Sequence, residues 1–587
     1  MFGKIIKIDG NDLYIKNELR KADSNLMGCH LIFEEEKRKV VGEITFIDEE
    51  YIKVMLVGEI IENIFSAGVT RKPSGSVPIR VINTEELTLI LGGAASTKNN
   101  LLIGSSAIYH NFNVSMSLND FFANHSAIIG NTGAGKSCGV ARILQNLFSS
   151  VHKPVNAHIV LFDAYGEYKN TFNEISKDPK INVKKYTTHI EYQDEELLQF
   201  PVHFLEADDL AILLSLTSSG QLQVLEKALK LVGIFKDESP TALAYKNDII
   251  AKCLLDVLSC GNTPSQMRDQ CMAILSKYNT ADLNLEAIIK QPGYNRTVRQ
   301  CLRIDEQGKM NAISEILDFL KQFERMNFED IPYSKGIVYT LDDLYSAVEF
   351  ALISEGIMNS SSAYEKNNII KNRLLNLINS EYASIFSSDN YITKEEYVRN
   401  FFTTITQEPV QIVNVNLSEV DDRFAKTLTK LYSKIFFKFT TSLTPRGTYS
   451  INIILEEAHR YVQNDTDINV IGYNIFDRIT KEGRKYGTIL TFITQRPSEL
   501  SVTALSQCSN FLVFRMFHPK DIEIISNISA NVNNETIEKL KTINPGSAMI
   551  FGVSLKLPIL VKLELPNPMP ESTSLNISNI WYEGEDI

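Results

Sequence analysis

The chain has 587 residues and a net charge of −12, with 44% hydrophobic and 22% charged residues. That length is too great for one hydrophobic core, so roughly two to four structural units are expected, with the composition of a soluble globular protein. The negative balance excludes a protein that coats nucleic acid with its whole surface, though it leaves a local basic lining open. There is no apolar run of membrane-spanning length and no N-terminal stretch like a cleaved signal, so a cytoplasmic protein without a membrane partner is expected.

Residues 1–95 read as an all-β module. Strands are predicted at Phe2–Ile8, Leu13–Ile15, His30–Glu34, Val40–Ile47, Tyr51–Ile60 and Val77–Ile82, separated by polar turns such as Asp9-Gly10-Asn11-Asp12. Short strands at this spacing suggest a small sandwich or barrel. No catalytic cluster falls there, and a docking or assembly role is expected. Residues 96–205 are expected to form the first part of an α/β core, opening with a polar connector over 96–125. His125 ends that connector, either packed at a strand end or functional.

The centre of the chain's organisation follows. Ala127-Ile-Ile is a short apolar strand. It leads into Gly130-Asn131-Thr132-Gly133-Ala134-Gly135-Lys136-Ser137, a G-x-x-x-x-G-K-S phosphate-binding loop. Its glycines let successive backbone N–H groups turn inward onto phosphate oxygens. Cys138 to Phe148 has helical periodicity, so a helix N-terminus also faces the anion, with Cys138 in its first turn. The chemistry expected is ATP binding, with Lys136 on the β- and γ-phosphates and Ser137 on Mg2+.

Ala157–Asp163 reads as a buried strand ending in a carboxylate, followed by Tyr165, Gly166 and Glu167. Asp163 and Glu167 either approach the Mg2+ and its water or cap a turn. Residues 206–400 are mostly helical by periodicity, with segments at Asp208–Leu216, Gln223–Val232, Ala242–Val257, Ala312–Phe323, Leu341–Ile353 and Ile369–Ile378. They read as a helical insertion in the nucleotide-binding domain.

The α/β pattern resumes over 401–562. Val410–Asn416 is a strand, and Asp422–Phe439 an amphipathic helix with Lys430 and Lys434 outward. Ile451–Leu455 is an apolar strand ending in Glu456 and Glu457, the acids a phosphate loop requires. Glu456 is expected in the Mg2+ shell and Glu457 as the base that activates water. A helix Ile471–Thr480 leads to Arg484. Strand Thr488–Thr494 then ends in Gln495, an amide placed to sense the γ-phosphate. Arg484 is either a finger reaching a neighbouring subunit's site or a solvated basic turn, and Arg515, carried on a strand Phe511–Met516, is a second arginine candidate. Residues 563–587 read as a tail strapped over the surface. The seven cysteines are scattered, without a C-x-x-C pair, so neither a disulfide framework nor a zinc site is expected.

In order, the motifs are His125–Ser137, Asp163–Tyr168 (DAYGEY), Ile454–His459 (ILEEAH), Lys481–Gly487 (KEGRKYG), Thr494–Leu500 (TQRPSEL) and Asn544–Gly552 (NPGSAMIFG). This order resembles the HerA-like branch of the HerA/FtsK superfamily of ATPases. The resemblance implies an N-terminal β-barrel, a RecA-like P-loop NTPase core with a helical insertion, and a homo-hexameric ring. It also implies ATP sites between subunits and double-stranded DNA in the central channel. Carried over, Lys136 and Ser137 match the phosphate-loop pair, Glu456 and Glu457 the acids, Gln495 the sensor and Arg484 the trans arginine. Glu456 stands where related proteins often carry Asp, one methylene shorter. Family members work with a separate effector, a nuclease or a sirtuin-like NAD-consuming enzyme. A bacterial member of the anti-phage defence type is expected, acting as a translocase or as a scaffold that assembles and regulates that effector.

Overall fold

The computed structural model describes residues 2–19, 26–93, 97–189, 193–324, 336–354, 361–465, 467–528, 534–571, 577 and 581. The chain divides into two compact units. One comprises Met1–Glu196, Tyr397–Asn464 and Asn474–Ile587, and the other Leu197–Glu396 and Asp465–Tyr473.

The strands in chain order are β1 (Ile5–Asp9), β2 (Asp12–Lys16), β3 (His30–Glu34), β4 (Lys39–Ile47), β5 (Tyr51–Ile61), β6 (Ile64–Ala67) and β7 (Ile79–Val81). Then come β8 (Asn100–Ser106), β9 (Asn113–Ser117), β10 (Ser126–Ile129), β11 (Ile159–Asp163), β12 (Val183–Thr187) and β13 (Glu195–Leu197). A hairpin of β14 (Ile288–Gln291) and β15 (Tyr294–Thr297) follows, and then β16 (Ile412–Asn416), β17 (Ile451–Leu455), β18 (Thr488–Thr494), β19 (Asn510–Val513), β20 (Ser547–Gly552) and β21 (Ile559–Lys562).

The first seven strands pair antiparallel in the order β1-β2-β5-β4-β3-β7, with β6 on β5. In β5 the inward residues Ile52, Val54 and Leu56 alternate with partly exposed ones, the period-2 pattern of a half-buried strand. They pack with Leu13, Ile15, Leu31, Phe33 and Val40 in a small core. Among the described residues no ladder joins β1 to β7, so the strands form an open sheet there. The region is also not wholly β. Thr84–Leu91 is a helix, started by a capping box between Asn83 and Glu86.

The second sheet runs β13-β12-β16-β11-β17-β18-β10-β19-β20-β21-β8-β9. From β12 to β19 the neighbouring strands are parallel. From β19 to β9 they are antiparallel. β10, β11, β17 and β19 are buried at every residue, as parallel strands covered on both faces must be. The 96–125 connector departs from expectation. It holds β8 and β9, where buried Leu101 and Ile103 flank the half-buried Leu102 and buried Val114 and Met116 flank Ser115, and these add two strands to the sheet edge.

Two helical expectations are corrected. The helix Asp422–Ser442 has no outward lysine stripe. Lys430 and Lys434 are buried, because nearly every position from Phe424 to Phe437 is covered and no solvent face remains for them. The predicted helix Ile471–Thr480 is instead two helices, Asp467–Ile471 and Ile475–Glu482. Gly472 separates them at φ +85°, and Asn474 caps the second.

The second unit is helical, with helices at Ala207–Leu213, Ser219–Lys236, Pro240–Ser259, Pro264–Lys277, Ile313–Lys321, Leu341–Ser354 and Ser361–Ile378. Its hairpin of β14 and β15 and its helix Pro264–Lys277 were not expected. The latter carries a start signal in sequence, a Thr263/Gln266 capping box with Pro264 in the first turn. In the tail, 563–571 lies along the helix Lys136–Ser149, where Gln145 Oε1 accepts from Asn567 N at 2.9 Å and Gln145 Nε2 donates to Pro568 O at 2.9 Å. Residues 572–576, 578–580 and 582–587 of the tail lie outside the described residues. No described helix is long and apolar enough to cross a membrane, and all seven cysteines are free.

Candidate functional site

The site lies wholly in the first unit, where the C-terminal ends of the parallel strands line up. That edge of an open α/β sheet is where ligands bind, because loops there converge without breaking the strands. β10 runs between β18 and β19. The phosphate loop leaves it with Gly130 N donating to Thr494 O at 3.2 Å and Asn131 N to Arg515 O at 2.9 Å. Gly133 (φ +71°) and Gly135 (φ +104°) take left-handed backbone that favours glycine. Close packing governs Gly130, where an added Cβ would stand 2.6 Å from Phe514 Cβ. The helix Lys136–Ser149 starts at Gly135 with no side-chain cap, which leaves its first N–H groups for an anion. Ala134 and Cys138 sit in the loop and in the first turn.

Lys136 is buried, and its Nζ donates to Asn131 O at 3.2 Å. Burial lowers its pKa, against the pull of Glu457, Glu456 and Glu167. Ser137 Oγ donates to Glu456 Oε1 at 3.5 Å. Glu456 follows β17 and also accepts from Ala164 N at 3.1 Å. Beside it, at the tip of β11, Asp163 accepts from Glu167 N at 3.0 Å and Tyr168 N at 2.8 Å, and from Asn414 Nδ2 of β16 at 3.5 Å. Asp163 thus both caps its own turn and faces the candidate metal ligand. Burial, and then the Asp163 carboxylate, push Glu456 well above its ordinary range. Burial raises Asp163 and the half-buried Glu167 as well. Oxygen donors crowded out of water in this way suit a hard cation, so Ser137 and Glu456, with Asp163 and Glu167 behind them, fit Mg2+.

Glu457 is buried, with left-handed backbone at φ +47°, an uncommon conformation for a residue with a Cβ. Its Oε1 accepts from Gln495 Nε2 at 3.3 Å. Gln495 Oε1 in turn accepts from Thr132 Oγ1 at 2.5 Å. The amide at the end of β18 therefore bridges the phosphate loop and the candidate base.

Arg484 is not part of this cluster. It is exposed on the short turn Gly483–Lys485 before β18, at the opposite edge of the sheet. β18 is 7 residues long, which at strand rise separates Arg484 from Gln495 by about 20 Å. Arg515 follows β19 beside its own phosphate loop, with its guanidinium 5.2 Å from the Phe517 ring centre. His125 packs at a strand end. Leu490 N donates to its Nδ1 at 2.9 Å, and burial lowers its pKa to about 4, so the ring is neutral. Sequence reasoning passed over Asn414, Thr494 and His459. The available signal for Thr494 and His459 was their place at or just beyond the tips of parallel strands, and for Asn414 a polar residue between Val413 and Val415 of strand β16.

Residues 101–436 match the family description "Helicase HerA, central domain". The chain is similar to the probable helicase MJ1565 of Methanocaldococcus jannaschii, 23% identical over 595 residues that cover 99% of this chain and 89% of that protein. It is also similar to the DNA double-strand break repair helicase HerA of Pyrococcus furiosus, 22% identical over 463 residues, 78% of this chain and 69% of that one. Among solved structures, the bacterial conjugative coupling protein TrwBdeltaN70 aligns with a TM-score of 0.43 at 11% identity, covering 84% of this chain and 94% of its own.

Proposed function

The chain belongs to the HerA helicase family over residues 101–436, more than half of its length, and on that premise we propose that this ATPase is a hexameric motor moving along double-stranded DNA. The observation that carries the reading is the division of groups between the two edges of one sheet. Lys136, Ser137, Glu456, Glu457 and Gln495 converge at one edge, whereas Arg484 stands exposed at the other. A nucleotide on the phosphate loop meets every expected group except the arginine, and a neighbouring subunit would supply that.

In this reading the loop amides, with Lys136 and Thr132, hold the triphosphate of ATP. Ser137 and Glu456 hold Mg2+, which when bound neutralises charge on the β- and γ-phosphates. Glu457 takes a proton from a water whose oxygen bonds to the γ-phosphorus as the bond to ADP breaks. Gln495 reports the loss of the γ-phosphate through its bonds to Thr132 and Glu457. Arg484 of the adjacent subunit meets the developing charge. In this reading the core is RecA-like, and the open N-terminal sheet stands in the place of the family's barrel, serving assembly in the cytoplasm. Relatives named for double-strand break repair support DNA as the track.

A second reading is favoured by the exposed isoleucines of the N-terminal sheet, Ile6 at 60% and Ile64 at 66% exposure. There the ring is a scaffold that assembles and regulates an effector, a nuclease or sirtuin-like NAD-consuming enzyme, in anti-phage defence of a bacterium. ATP turnover measured with and without double-stranded DNA separates the two. DNA stimulation of several-fold is expected for the motor. Brisk turnover indifferent to DNA, with a stoichiometric protein companion, favours the scaffold.

A further inference from the structure

Glu457 is held from one side only. Its Oε1 accepts from Gln495, but its buried Oε2 accepts no hydrogen bond from a described residue. A buried carboxylate oxygen left so is costly unless a donor turns to it. A group able to donate stands beside it, the His459 ring, whose Nδ1 is 3.2 Å from Oε2. The short turn Ala458–Arg460, entered through the left-handed Glu457, folds this ring back over the carboxylate. Both side chains are close to nine-tenths buried, so water does not readily replace either partner.

The same Nδ1 lies 3.2 Å from Thr494 Oγ1, the residue just before Gln495. Thr494 Oγ1 also accepts from Arg496 N at 3.0 Å, which anchors the hydroxyl at the strand tip. The ring therefore has two arrangements. With Nδ1 protonated, it has Glu457 Oε2 within donating reach. With Nδ1 bare it accepts from the Thr494 hydroxyl and leaves Oε2 alone.

We propose that His459 is a positioning residue for the reaction: its Nδ1–H donates to Glu457 Oε2 and, opposite Gln495, stops the carboxylate from rotating away from the attacking water. This rests on Glu457 acting as the base. Both oxygens are then gripped, Oε1 by Gln495 beyond the tip of β18 and Oε2 by the ring that the turn Ala458–Arg460 folds back over it. A base fixed in its plane keeps a lone pair aimed at the water, and misplacement on the ångström scale costs up to about 100-fold in rate.

The test is steady-state ATP turnover by the full chain, with binding of a fluorescent ATP analogue measured beside it, for His459→Ala, His459→Asn and His459→Gln. An asparagine amide nitrogen falls near the place of Nδ1, and a glutamine amide does not. Expected is a kcat loss of about 10-fold or more in His459→Ala and His459→Gln, recovery to within about threefold in His459→Asn, and unchanged analogue binding in all three. His459→Ala with wild-type kcat overturns the proposal, as does His459→Asn no better than His459→Ala. Loss of analogue binding in step with kcat makes the residue structural and also overturns it. If Glu457→Gln turns over normally, the base assignment fails first and takes this proposal with it.

Discussion

The two ends of strand β18 present opposite environments. At its C-terminal end Thr494 is buried and Gln495 bridges Thr132 and Glu457, amid carboxylates whose pKa values burial has raised. Before its N-terminal end Arg484 stands in solvent. One end is crowded and electrostatically frustrated until a cation arrives, while the other carries a cation available to a partner. The difference teaches that a single strand can join a buried, crowded acidic tip to a solvated cation, the two groups that the proposed ring would bring together from neighbouring chains.

The largest effect should come from splitting this pair. Arg484→Ala is expected to lower turnover by about 10³-fold while ATP still binds. Mixing it with Lys136→Ala subunits should restore part of the loss, because a mixed ring contains some interfaces with both residues intact. No recovery in mixed rings, read by ATP turnover, would break the comparison and leave Arg484 a surface residue. Glu457→Gln acts on the crowded end and should cost about 100-fold in turnover with ATP affinity kept, since the amide binds but cannot take the proton. Normal turnover there would remove Glu457 as the base.

A smaller effect sharpens the electrostatic contrast. Glu456 holds its proton more tightly folded than unfolded, because burial and Asp163 raise it above 4.5. Its stabilising contribution is therefore full below its unfolded value and falls as pH rises from there. Thermal melts without nucleotide should lose stability as pH rises above the ordinary carboxylate range. Glu456→Gln should flatten that slope, because the amide carries no proton to lose. Equal slopes would mean that the pair is not frustrated. Purely steric in origin is Gly130→Ala. Its methyl would press on the fully buried Phe514, costing about 1–3 kcal/mol in denaturant melts.

Much of the site was legible in the chain. A glycine loop before a helix, and an apolar strand ending in Glu456-Glu457, are local patterns whose chemistry follows from residue type and spacing. The connector was not, because the serines and asparagines around Leu101, Ile103, Val114 and Met116 mask a period-2 signal that matters only beside β21. Nor was the burial of Lys430 and Lys434, since a 3.6-residue period names one apolar face and cannot say that the other is covered too.

The sequence by itself determined the strand tips, the phosphate loop and the identity of the acids, because these depend on neighbours within a few residues. Only the tertiary structure decided that Asp163, Asn414, Glu456 and Gln495 share one edge, that His459 turns back on Glu457, and that Arg484 stands about 20 Å from Gln495 of its own chain. Those relations depend on the order of strands in the sheet, β16-β11-β17-β18-β10. That order joins segments hundreds of residues apart, and side-chain burial across both faces of the sheet selects it.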